Sequence, residues 1–205
     1  TLEATRLNMR GLGHTMSVRT RFSNLQQRAL FTYEAPRWMG SDRWHMTLSG
    51  LLDTSRNVRT YTGKRIEGAL QLRERLSKPS TLLYRFTYRR TSIDEDTLQI
   101  RPDLIERASQ PVRVGLLSVT YIQDRRDDPT DSTKGIFNSL DLGFASGIWA
   151  SEPDFVRLLG QNSTYHRLGR SRVIIARTLQ IGMMIPTGTF KVSPEQALNP
   201  LAGIS

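Results

Sequence analysis

Four aspartates, two arginines, a proline and a glycine crowd the middle of VTYIQDRRDDPTDSTKGIFNSLDLGF, residues 119–144. Asp124, Asp127, Asp128 and Asp131 lie close enough in sequence to suggest a divalent-cation site or the paired carboxylates of acid–base catalysis. Neither pattern is complete. A calcium loop of the EF-hand type needs carboxylates at alternate positions, a central Gly and a distant Glu, whereas Arg125 and Arg126 sit inside this run and offset its charge. No nucleophile or positioned histidine adjoins it, since His14, His45 and His166 are scattered along the chain. H-E-x-x-H, G-x-S-x-G and P-loop patterns are absent, and Gly11-Leu12-Gly13 lacks the rest of a dinucleotide fingerprint. Without cysteine there is no thiolate nucleophile, disulfide or Cys-bound zinc. A turn accounts for the same residues directly. Asp side chains accept backbone N–H groups two residues on, Pro129 fixes φ and removes a donor, Gly135 frees a backbone position of Cβ, and Arg126 is placed to hold neighbouring carboxylates.

The segments that such a turn would join have a period of two. In RIEGALQLRERL, Ile66, Gly68, Leu70, Leu72 and Leu76 alternate with Arg65, Glu67, Gln71, Arg73 and Arg75, with Glu74 the exception. LLYRFTYRR separates Leu82, Tyr84, Phe86 and Tyr88 from Arg85, Thr87 and Arg89. Similar splits in WHMTLSGLL and IFNSLDLGF predict strands with one apolar and one polar face. Ten strands are predicted, at about 2–9, 14–23, 26–35, 43–55, 60–76, 80–92, 112–124, 135–146, 153–168 and 171–185. Several exceed the five or six residues usual in soluble sheets, whereas a tilted membrane-spanning strand needs about 9 to 11. Tight turns at GLGH, SKPS and RLGRS against longer links at 93–111 and 147–152 suggest a barrel with one short-turn rim. In VRVGLLSVTYI the apolar phase slips between Leu116 and Leu117, which predicts a bulge or a stretch covered on both faces.

At 205 residues the chain is long enough for one sizeable domain or for part of a larger protein. Its formal charge of +10 is carried almost wholly by arginine, the only lysines being Lys64, Lys78, Lys134 and Lys191. A nucleic-acid groove would interleave aromatics with those arginines, but here the aromatics take the opposite face. A hydrated lumen, in which arginines pair with Glu3, Glu34 and Glu67, is the better reading. A soluble all-β binding module remains as a rival, and it requires two sheets burying their apolar faces on each other.

The segment DRRDDPTDSTKGIFNSLDL resembles the D-x-R-D-N-P-x-x-P-T-K-G-x-x-x-S-L-D-L run of the bacterial surface-antigen barrels, the outer-membrane insertase family of the BamA and TamA type. Matching positions are Asp124, Arg126, Asp127, Pro129, Thr133, Lys134, Gly135, Ser139, Leu140, Asp141 and Leu142, with Asp128 for the usual Asn and Ser132 for the common second Pro. LFTYEAPRWMG is similar to the family's E-P-W-F-x-G turn, and DFVRLLGQNSTYHRLG to its next strand and turn. The resemblance implies an all-β fold: an antiparallel transmembrane β-barrel fragment of about ten strands, corresponding to strands two to eleven of sixteen. Residues 1–205 would form this partial barrel, with 186–205 opening a long extracellular loop. The first strand, the last five strands and the POTRA domains would lie outside it. The residues Asp124 to Gly135 would form a structural periplasmic turn. It further implies residence in the bacterial outer membrane and the folding and insertion of other barrel proteins, without covalent chemistry or a cofactor. The implied partners are outer-membrane lipid, unfolded β-barrel clients and, for the full-length protein, assembly-complex lipoproteins; nucleic acid is not among them. A TamA-like or two-partner translocation barrel, or a generic porin, is the alternative.

Overall fold

The computed structural model describes residues 1–9, 11–56, 62–94, 111–169 and 173–188. Ten strands run in chain order: β1 (Leu2–Met9), β2 (His14–Phe22), β3 (Gln26–Ala35), β4 (Trp44–Arg56), β5 (Thr62–Arg75), β6 (Ser80–Ile93), β7 (Val112–Asp124), β8 (Gly135–Ala145), β9 (Phe155–Arg167) and β10 (Ile174–Pro186). Each pairs antiparallel with its neighbours in sequence, giving one sheet in which β1 and β10 are unpaired edges. All ten predicted strands are present: β1, β3 and β7 have the predicted bounds, and the other ends differ by one to three residues, with β4, β6 and β10 each running one residue further than predicted. The region 186–205, expected to begin a loop, falls largely outside the described residues, as does most of the 93–111 link.

Register assigns the faces. Trp44, Met46 and Leu48 stand opposite Glu74, Leu72 and Leu70, and Leu72 and Leu70 stand opposite Tyr84 and Phe86. Because successive side chains alternate sides of a strand, these residues share one face, which Val119, Leu142 and Leu158 continue through β7, β8 and β9. The other face carries Arg65, Glu67, Gln71, Arg73, Arg85 and Arg89 on β5 and β6.

This is a wall without an interior. Among the described residues the buried apolar side chains are only Ala35 and Ala145, while Leu52, Leu70, Leu140, Leu142 and Phe144 on the apolar face remain more than a third exposed. A second sheet, which the soluble sandwich requires, is not formed by the described residues. The apolar face is therefore suited to lipid rather than to a partner layer.

The predicted bulge in β7 does not occur, since its pairing with β6 is continuous from Val112 to Gln123. Both faces are covered there instead. On the apolar face a Cβ at Gly115 would lie 2.0 Å from the carbonyl oxygen of Trp149, whose ring meets Phe86 at 5.8 Å. On the polar face, Leu116 packs above Gly143. The register shift lies instead between Arg6 and Met9, where Asn8 adopts φ 53° and accepts the Gly13 N–H at 2.8 Å. Loop length also departs from a clean alternation. The tight 23–25 turn, closed by Ser23 N–H to the Gln26 carbonyl at 2.9 Å, shares a rim with the long 93–111 link, and the extended 125–134 connection shares the opposite rim with 76–79.

Candidate functional site

Of the eleven matched positions, the seven expected to form the structural periplasmic turn, Asp124, Arg126, Asp127, Pro129, Thr133, Lys134 and Gly135, lie in and at the ends of the connection from β7 to β8. Its walls are ladder bonds continued past the strand ends: Arg125 N–H donates to the Ile136 carbonyl at 2.9 Å and Asp127 N–H to that of Lys134 at 3.1 Å. Arg126 grips the Asp124 carboxylate through Nε at 2.9 Å and Nη2 at 2.7 Å, reaches the Pro129 carbonyl at 3.3 Å, and lies 4.9 Å from the centre of the Phe137 ring. It holds that one carboxylate, not the whole group.

Asp127 organises the far side of the turn. Its carboxylate accepts the Thr133 hydroxyl, the Thr133 N–H at 3.0 Å and the Lys134 N–H at 3.1 Å. The Thr133 hydroxyl first, and the Lys134 N–H next, hold its carboxyl well below the usual carboxylate range. Asp128 accepts the N–H of Thr130 at 2.7 Å, two residues on. These carboxylates are thus occupied by the turn itself, and among the described residues no three His, Asp or Glu side chains converge on a common centre. Gly135 has φ +115°, and a Cβ there would lie 2.2 Å from the Arg125 carbonyl oxygen. The arrangement fixes a backbone path; it contains no group placed for proton transfer or nucleophilic attack.

The polar face is a net of ion pairs. Glu67 bridges Arg65 and Arg89, Arg19 holds Glu3 at 2.9 Å, Arg28 holds Asp53 at 2.9 Å, and Arg85 donates to Gln71. Arg157 reaches Asp141 at 2.8 Å by lying over Gly143, and Thr120 donates to the same carboxylate at 2.7 Å. Two of the three carboxylates expected to pair with arginine do so. Glu34 makes no ion pair among the described residues, because its cross-strand neighbours are Thr15 and Thr47; Asp53 and Asp141 take the role instead.

Polar groups also occur on the apolar face, near the rim that holds the 76–79 and 125–134 turns. Glu74, the exception in its strand, is buried there; it pairs with Arg43 and accepts the Tyr84 hydroxyl at 3.3 Å, while Tyr84 stacks on Trp44 at 6.3 Å. Further round, side-chain amides join four strands: Arg177 donates to Asn162 at 3.3 Å, Asn162 to Asn138 at 2.6 Å, and Asn138 to Gln123 at 3.1 Å. Sequence reading missed this ladder. Its signal is an amide in the apolar phase of three successive strands, each close to a turn at the same rim.

The profile described as the Omp85 superfamily domain matches residues 8–198. The crystal structure of BamA from Haemophilus ducreyi lacking POTRA domains 1–3 has a similar fold, with TM-score 0.70 at 12% identity over 91% of this chain. The present chain spans 38% of the length of that one. No curated protein matches the chain.

Proposed function

The chain belongs to the Omp85 superfamily, and from that premise we propose that it forms the central wall of a bacterial outer-membrane barrel that folds and inserts other β-barrel proteins. The apolar face meets lipid and the arginine-rich face lines the lumen. The rim bearing the 125–134 turn faces the periplasm, and residues 186–205 begin a long extracellular loop. The remaining strands of a sixteen-stranded barrel, and the POTRA domains, come from the longer protein.

One observation carries this reading: the superfamily match spans β2 to β10 of a single open sheet in which, through the middle of β4–β6, Met46, Leu48, Leu70, Leu72, Tyr84 and Phe86 take the face opposite Arg65, Arg73, Arg85 and Arg89, while Arg90, Arg113 and Arg177 on the apolar face stand near the rims. A charge on the lipid side near the bilayer midplane costs about 2–4 kcal/mol, so this segregation is what a spanning wall requires. The work done is non-covalent. In an insertase of this kind a client strand is templated by backbone pairing at a barrel edge, which needs hydrogen-bonding groups and no nucleophile or cofactor. The wall described here keeps the ring's curvature and hydration while the edge strands act.

Reconstitution of the intact protein in liposomes with a urea-unfolded outer-membrane client tests this. The client's heat-modifiable folded form should appear faster with the protein than with empty liposomes. No acceleration, together with steady open-pore conductance, would instead make the protein a channel.

A further inference from the structure

Three successive rows on the apolar face of β7–β10 change chemistry in a defined order. Nearest the 125–134 turn, Arg125 stands opposite Ile136, which faces Thr164, which faces Arg177. The next row is the ladder of Gln123, Asn138 and Asn162, held at its end by Arg177. The third contains Tyr121, Leu140, Gly160 and Ile181. Because Gly160 has no side chain, a groove of about 290 Å³ opens there, lined by Tyr121, Asn138, Leu140, Gly160, Leu179 and Ile181. A Cβ at Gly160 would meet only Leu140 Cδ1, at 4.0 Å, so the space is vacant rather than needed for packing.

We propose that these rows bind a single anionic phospholipid in the leaflet at this rim, its phosphate on Arg177 or Arg125 and an acyl chain in the groove over Gly160. The proposal rests on the lipid-facing assignment made above. Rows on one strand face are about 7 Å apart, so cation, amide and hydrocarbon succeed one another over about 13 Å, the order met on passing from a phosphate through ester groups into an acyl chain. Side-chain amides facing lipid are costly unless bonded, and the ladder bonds them to one another. It also anchors Arg177, whose other N–H groups have no partner among the described residues and can reach a phosphate. Charge selects the headgroup. No carboxylate occupies this face on β7–β10, since Asp124 and Asp141 lie on the other side; in the adjoining turn Asp127 and Asp128 are turned to backbone N–H groups, and Asp131 is exposed within the loop beyond the strand ends.

The test is native mass spectrometry of the intact protein in detergent, with equimolar 1-palmitoyl-2-oleoyl phosphatidylglycerol and phosphatidylethanolamine added. Wild type should retain one phosphatidylglycerol in preference to phosphatidylethanolamine. R125Q/R177Q should weaken that retention about 30-fold, the effect of two surface cations. Gly160→Leu should abolish it with charge unchanged, and R90Q/R113Q, which removes two arginines from the same face at the opposite rim, should leave it intact. Heat-modifiable mobility establishes that each variant is folded. Equal retention of the two lipids, unchanged retention in R125Q/R177Q, or an equal loss in R90Q/R113Q would overturn the site. Quenching of tryptophan fluorescence by brominated lipids separates the two levels: quenching without headgroup preference rejects the site alone, and no quenching rejects the lipid-facing wall as well.

Discussion

A Cβ on residue 135 has no space to occupy, because the Arg125 carbonyl oxygen would lie 2.2 Å away and φ is +115°. Gly135→Val in the intact protein should therefore prevent the β7–β8 turn from closing, with loss of most heat-modifiable folded protein on refolding; a strained φ alone costs about 1–3 kcal/mol before the clash is counted. Asp128→Asn should change stability by less than about 0.5 kcal/mol, since an amide oxygen accepts the Thr130 N–H equally well. Calcium titration should shift the melting of neither protein. Asp127 gives the turn a pH dependence. Its carboxyl is depressed in the folded chain, so the stability it contributes is complete above the unfolded value of about 4 and is lost as pH falls through the lower folded value. Asp127→Asn should flatten that acid limb of an unfolding-midpoint profile while leaving the neutral region less stable. The turn was legible in sequence because Asp, Pro and Gly act on backbone within a few residues of themselves. Glu74 was legible only as an anomaly, since its partners Arg43 and Tyr84 are supplied by the register of two other strands.

Neighbouring positions on one strand should respond oppositely to the same change. Leu70 faces Leu48 and Phe86 on the apolar side, while Ala69, next to it, faces Ser49 and Thr87 on the polar side. In the intact protein folded in liposomes, Leu70→Arg should lower unfolding stability by about 2–4 kcal/mol and Ala69→Arg by far less, read from urea midpoints. Equal costs would refute the assignment of faces. Alternation made the strands readable, because a period of two survives in the residues whatever the neighbouring strand contributes. Its slip at Leu116 and Leu117 marks the second of the two expected outcomes, a stretch covered on both faces; that Trp149 of the β8–β9 connection covers Gly115 is a contact the local pattern of β7 cannot name. The exchange of Glu34 for Asp53 and Asp141 in the ion-pair net likewise depends on which residues the register sets side by side.

At the scale of the molecule, the unpaired edges β1 and β10 leave backbone N–H and C=O groups open over lengths of eight and thirteen residues. Refolded alone into detergent, residues 1–205 should give mixed oligomers or aggregates, should lack a single heat-modifiable band, and should not accelerate the folding of another barrel. Closing ten strands into a narrower ring would require a new stagger, and a one-residue slip turns a strand's apolar face inward. A monodisperse monomer by light scattering would contradict this. Because every strand pairs only with its predecessor and successor, the wall also obeys a parity rule. Deleting one strand with its connection would invert the direction of all that follow, sending the 125–134 turn to the opposite side of the membrane. Deleting two adjacent strands would alter only the circumference. A lineage of such walls can therefore gain or lose girth by whole hairpins while each later loop keeps its own side.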